Sequence, residues 1–154
     1  MKKYHHLHLL IFSFFILFSI SGQQNIQLLN HVNKSSFSTQ PGDLNDIWGW
    51  VDSLGNEYAI VGTQNGTFIF DVTDPLNPNE VFHEPGISSI WRDIKTYGNY
   101  AYVTTEAQNG LLIIDLNPLP SSTVLSTYYY NGPSGSQWAS AHNLFIDDRG
   151  YVYI

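Results

Sequence analysis

The residues of this chain best equipped for chemistry are Asp46, Asp93, Glu106 and His142. Gathered at one place, three carboxylates and an imidazole could bind a hard divalent cation through oxygen. They could also shift one another's proton affinity enough for acid–base work. These four are therefore the metal candidates, and a divalent cation is the one cofactor they point to. Asp93, Glu106 and His142 are also ligand-binding candidates, together with Trp91, Arg92 and Trp138. Indole rings on a wet face can stack on a sugar or a peptide, although filling space inside the fold is their commoner use. The plainer role for Asp93 and His142 is to hydrogen-bond the loops that join structural units, because buried backbone groups at such joints need partners. No residue stands out as catalytic.

Other apparent motifs carry less. His5, His6 and His8 imitate a metal tract but lie in an N-terminal stretch expected to be removed. Gly132-Pro133-Ser134-Gly135-Ser136 lacks the strand-to-helix setting of a nucleophile elbow and the spacing of a phosphate loop, so it reads as a joining loop. Asn33-Lys34-Ser35 and Asn65-Gly66-Thr67 match the N-glycosylation pattern; the first is short and the second is explained by a turn. The chain has no cysteine, which excludes disulfides, thiolate metal sites and a thiol nucleophile.

The elements that must position these side chains come from a repeat. Gln64-Asn65-Gly66 recurs 44 residues later as Gln108-Asn109-Gly110, each copy between two apolar runs. Tyr58–Val61 and Tyr100–Val103 precede the copies; Phe68–Val72 and Leu111–Leu116 follow them. Asn-Gly is a strong signal for a two-residue type I′ hairpin, since both central residues need positive φ. Each second run ends in aspartate, Asp71 or Asp115, before a break at Asp74-Pro75 or Asn117-Pro118. A carboxylate there accepts hydrogen bonds from the amides that follow. Asn65, Gly66, Asp71, Asp74, Asn109, Gly110 and Asp115 are accordingly assigned to turns. One such aspartate per repeat is scaffold, because a single active site would need only one.

Runs before and after each pair complete four strands: 46–51 and 80–83 in the first unit, 93–96 and 123–129 in the second. A third unit opens with 142–146 and 151–154. Four short strands at a period of roughly 40–50 residues is the arithmetic of a β-propeller blade. The fold class expected is all-β, a β-propeller of four-stranded antiparallel blades with about two and a half blades present. Blade 1 spans about 44–88, blade 2 about 89–138, and the start of blade 3 about 139–154. A β-sandwich also has many short strands, but it would not demand the same turn and terminal aspartate at a fixed spacing. Propellers close with about 4–8 blades, so the sequence is expected to be a piece of a longer protein whose later blades are missing.

Residues 1–22 have the layout of a secretory signal peptide: Lys2 and Lys3, an apolar run from Leu9 to Ile20, then Ser21-Gly22-Gln23. The run is short for a membrane span, so no transmembrane helix is expected after cleavage. Residues 23–43 form a polar leader, either a linker or a strand that closes the ring. Without the signal the chain keeps four basic against thirteen acidic residues, a net charge of −9. Such a surface argues against nucleic acid and anionic lipid as partners.

The segments Gly66–Pro75, Trp91-Arg92-Asp93-Ile94-Lys95, Tyr100–Val103 and His142–Asp147 together resemble the LVIVD-repeat proteins, in particular the bacterial choice-of-anchor B family. The similarity runs over roughly 46–154. It implies a propeller exported to the cell surface or beyond, with one of several alternative C-terminal anchors, and it implies no particular activity. The chain departs from the family by ending before the later blades and any anchor. The expected function is a secreted or cell-surface binding or scaffold module facing an extracellular protein or glycan. The alternative is a metal-assisted extracellular hydrolase or lyase at the propeller channel mouth, using Asp93, His142 and Glu106. A spacer role for the propeller is a third reading.

Overall fold

A computed structural model describes residues 26–154. The expected signal peptide, with His5, His6 and His8, lies outside the described residues. After a single 3-10 turn at Lys34–Ser36, ten strands follow: β1 (Leu44–Val51), β2 (Glu57–Thr63), β3 (Gly66–Asp71), β4 (Asn79–Pro85), β5 (Ile94–Tyr97), β6 (Tyr100–Val103), β7 (Leu111–Asp115), β8 (Thr127–Tyr130), β9 (Phe145–Ile146) and β10 (Val152–Tyr153). They form two four-stranded antiparallel sheets in the orders β1-β2-β3-β4 and β5-β6-β7-β8, and a two-stranded sheet of β9 and β10. β1 lies beside β5, and β5 beside β9, so the first strand of each unit runs along one shared inner edge. These sheets are successive blades of a β-propeller. Among the described residues no helix is long and apolar enough to cross a membrane.

Strand period explains how the blades stack. Side chains alternate between sheet faces. Trp50, Tyr58, Ile60 and Ile69 share one face of blade 1, and Ile94, Ala101, Val103, Leu112 and Ile114 share the facing side of blade 2. Together they form the main apolar core, closed at its outer rim by Leu116, Leu119 and Leu125. Two indoles fasten the same joint. Trp50 Nε1 donates to Gly98 O at 3.0 Å and Trp48 Nε1 to Thr96 Oγ1 at 3.1 Å. The opposite face of blade 1 carries Phe68 and Phe70, which are covered by Phe37 from the leader with ring centroids 4.8 and 5.0 Å away. Ser38 donates from both N and Oγ to Glu80 and pins the same segment. Between Ile26 and Asp43 the leader contributes no strand.

The expected turns need correction. Thr63 pairs with Gly66, so the hairpin residues are Gln64 and Asn65, one position earlier than the Asn-Gly reading placed them. No described residue other than glycine has positive φ, which rules out a type I′ turn here. The cause is tertiary. Gln64 N–H donates to Asp43 O, Asn65 N–H to Pro41 O, and Gly86 N–H to Asn65 O, at 2.7 to 3.0 Å, so the leader and the β4–β5 connection occupy the turn's backbone groups. Gly66 is instead a strand residue whose missing side chain lets β3 approach Glu84 O. In blade 2 the Asn109-Gly110 pair is not a hairpin at all. It ends a seven-residue loop between β6 and β7, where Gly110 has φ +68°. The outer strand of blade 2 is also shorter than expected, starting at Thr127, and the first strand of blade 3 starts at Phe145 rather than His142.

Candidate functional site

Two of the four candidate acids and bases are held in the same way in successive blades. Asp46 Oδ2 accepts the N–H of Ile94 at 2.8 Å, and Asp93 Oδ2 accepts the N–H of Leu144 at 2.7 Å. Each carboxylate reaches from the start of its own blade's inner edge to the start of the next blade's, Asp46 within β1 to Ile94 in β5, and Asp93 just before β5 to Leu144 just before β9. The amide at that spot has no strand neighbour on the inner edge, and a carboxylate is a strong acceptor for it. The other oxygen of Asp93 meets Lys95 Nζ at 2.6 Å. Lys95 also donates to Ile94 O and covers the Trp48 ring at 4.4 Å. Asp93 is therefore fully engaged as an inter-blade clip.

Arg92 is likewise spent on the joint. It is 7% exposed, with Nε donating to Thr63 O and Nη2 to Ile87 O, both at 2.7 Å. Its guanidinium meets main-chain carbonyls and no carboxylate within salt-bridge distance, and burial lowers its pKa from the ordinary value. Nearby, Tyr129 Oη donates to Glu84 at 3.0 Å, and burial, reinforced by that carboxylate, pushes the phenol up to about 12.

Glu106 and His142 are brought together. Glu106 Oε1 lies 2.7 Å from His142 Nδ1, and both side chains are about half exposed. The Trp91 ring stands 5.2 Å from the His142 ring at 57°, in a residue that is 48% exposed. Trp91, Arg92, Asp93 and His142 line a shallow depression of about 180 Å³ against Asn45 and Asp46, at the end of the inner edge where the first strands begin. Trp138 borders a neighbouring hollow with His142 and Asn143. The meeting of Glu106 with His142 depends on the β6–β7 loop. Val61 and Val103 hold equivalent register positions, as do Phe68 and Leu112, so blade 2 has two more residues in this connection than blade 1. The loop is tied to blade 3 by Asn109 and Gly110, whose N–H groups both donate to Ala139 O, and by Ala141 N–H donating to Thr105 O. Among the described residues no three His, Asp or Glu side chains gather at metal-binding distance, and Asp46, Asp93, Glu106 and His142 are not drawn into one such group.

Asp71, Asp74 and Asp115 sit at the other end of the strands, away from this depression. Asp71 and Asp115 each accept an N–H two residues ahead, from Thr73 at 2.9 Å and Asn117 at 3.0 Å, and Asp74 does the same for Leu76. Hydrogen bonds from Asn77 and Leu76 hold the Asp74 carboxyl below its ordinary value. A second repeated turn escaped the sequence reading. Asp52-Ser-Leu-Gly55 and Asp147-Asp-Arg-Gly150 join the first two strands of blades 1 and 3 with the same hydrogen bonds, from Leu54 and Asn56 to Asp52 Oδ1 and from Arg149 and Tyr151 to Asp147 Oδ1. Burial alone would raise both carboxyls, but hydrogen bonds from the side chains of Asn56 and Arg149, joined by these backbone donors, outweigh it and lower them. The recurring Asp-x-x-Gly was visible in the sequence; blade 2 hides the period by using a shorter Gly98-Asn99 turn there. The Lys95 partner of Asp93 was also missed, although it stands two residues away on the same strand face.

Register now assigns equivalent positions. Asp46, Asp93 and Asn143 correspond, and counting back along the chain matches Asn45, Arg92 and His142, and Leu44, Trp91 and Ala141, with an irregularity in β1 between Leu44 and Ile47. The scaffold positions repeat, whereas Trp91, Glu106 and His142 belong to one blade junction only. Comparison with known proteins finds the LVIVD repeat at residues 50–83 and again at 90–130. No curated protein and no solved structure matches the chain. The two matches fall on the two four-stranded sheets, one each, and with the blade geometry they make this chain an LVIVD-repeat protein.

Proposed function

We propose that this chain is an exported binding module of the choice-of-anchor B type, displayed at or beyond the cell surface, that engages an extracellular partner through the inner-edge end of its blades. The observation that carries the reading is the division of labour at that end. Asp46, Asp93 and Arg92 are consumed by inter-blade hydrogen bonds, while Trp91, Glu106 and His142 stay half exposed and occur once. Residues that repeat maintain the array; residues that break the repeat at a solvent-facing end are available for recognition. The Lys2-Lys3 start, the apolar run and Ser21-Gly22-Gln23 support export. The segments Trp91-Arg92-Asp93 and His142-Asn143 in this order support the choice-of-anchor B assignment.

The test is retention on a panel of immobilised extracellular polysaccharides and cell-envelope proteins, using the chain recovered from the envelope or medium of an expressing bacterium. The expected result is a retained partner that is lost in the double variant Trp91→Ala/His142→Ala at an unchanged melting temperature. Retention identical in the double variant, or no retention at all, removes this end of the blades as the binding face.

A further inference from the structure

We propose that Trp91, Glu106 and His142 form a subsite for one ring of a neutral carbohydrate. The inference deepens the binding reading above and rests on it. Trp91, a residue 48% exposed, brings an apolar ring, and His142, 5.2 Å from it, carries Glu106 on its Nδ1 at 2.7 Å. A sugar ring has the same two-sided character: a C–H face that lies on an aromatic ring and a rim of hydroxyls that donate and accept. The carboxylate of Glu106 can accept from hydroxyls, and His142 has its Nε2 left to donate or accept according to its tautomer.

Charge selects among ligand classes. The cations nearest the depression are both taken, Lys95 by Asp93 and Arg92 by the carbonyls of Thr63 and Ile87. A phosphate, sulfate or uronate would meet no free positive charge there, and it would approach an acidic protein. Size selects too. The depression of about 180 Å³ beside Trp91 and His142, with Glu106 outside its lining, falls below the roughly 300–1,000 Å³ usual for a drug-sized ligand, which favours a single ring of a longer chain over an enclosed molecule. The constellation is also built only once. Leu44 and Asn45 stand at the blade 1 equivalents of Trp91 and Arg92, and the shorter β2–β3 turn supplies no counterpart reaching as Glu106 does.

The experiment is calorimetric and tryptophan-fluorescence titration of the full chain with cellohexaose, xylohexaose, mannohexaose, laminarihexaose and chitohexaose, with hexagalacturonate as the anionic comparison. At least one neutral hexasaccharide is expected to bind. Trp91→Ala should weaken it by about tenfold or more, as loss of an aromatic platform does, and Glu106→Ala should also weaken it. Tyr128→Ser, on the outer edge of blade 2, should leave binding unchanged. The proposal is overturned if no neutral oligosaccharide binds at about 10 mM, where even millimolar affinity would register, if binding survives Trp91→Ala intact, or if hexagalacturonate alone binds. A protein partner lost on Trp91→Ala, with every sugar silent, would overturn the carbohydrate subsite while leaving the binding face in place.

Discussion

At the scale of single residues, His83 couples pH to folding. It stacks on Phe68 with ring centroids 4.1 Å apart, and its Nε2 is buried with no hydrogen-bond partner. Burial lowers its pKa from the ordinary 6.5, against the opposing pull of Glu80 and Glu84. A base that protonates less readily when folded gives full stability above its unfolded pKa, and that stability is lost as pH falls through the folded value. The loss should therefore begin below pH 6.5, well before the carboxyls of Asp52, Asp74 and Asp147, which are all lowered from 3.8 and so fail only at stronger acidity. Melting temperature should fall between about pH 6.5 and 5. His83→Phe keeps the stacked ring and should flatten that limb. A proton titration of His83 in the folded chain showing a midpoint at or above 6.5 would contradict the assignment.

At the scale of elements, the connection between β4 and β5 is the joint on which the two blades turn, and Arg92 holds it. Thr63 O at the end of β2 and Ile87 O in the connection are both capped by one buried guanidinium. Gly86 packs directly against it, since a side chain there would place Cβ 2.7 Å from Nη2. Arg92→Met keeps the stem but strands two carbonyls, and hydrogen bonds from a charged donor contribute about 1.5–3 kcal/mol each, partly recoverable by water. A destabilisation of about 2–4 kcal/mol in urea unfolding is expected; a change below about 0.5 kcal/mol would mean that the guanidinium is dispensable to the joint. The sequence disclosed the elements better than their joints. The strands of blade 1 were legible because both faces of β2 and β3 are covered, which demands consecutive apolar residues such as Phe68-Ile69-Phe70. The expected Asn65-Gly66 turn sits one position earlier, at Gln64-Asn65, whose backbone groups are claimed from outside by Asp43, Pro41 and Gly86, partners that no local pattern reveals. For the site, His142, Glu106 and Trp91 could be named by type and placed at one end. That Glu106 reaches His142 while Asp93 is diverted to Lys95 and Leu144 follows from register and loop length, which single-sequence spacing does not fix.

At the scale of the whole molecule, the blades form a one-dimensional array in which each sheet is stabilised by its neighbours, so the condition of each flank decides local stability. The blade 2 positions equivalent to buried Trp50 and Tyr58 are Tyr97 and Tyr100, which are 42% and 41% exposed because the two-stranded third sheet covers less of them. The other flank of blade 1 is treated differently, with Phe37 of the leader seated on Phe68 and Phe70. That segment acts as a cap over part of this face of the blade. If stability is propagated only through contacts between neighbours, removing the cap should loosen blade 1 and fade before blade 2. Phe37→Ala removes a partly buried ring and should cost about 2–3 kcal/mol, less than the 3–5 kcal/mol of a fully buried phenylalanine. Hydrogen-exchange mass spectrometry should then show faster exchange in β3 and β4 and near-native protection in β6 and β7. Equal loss of protection in all four strands would instead make the two blades a single cooperative unit, with the Arg92 joint and the shared core too strong to let one blade open alone.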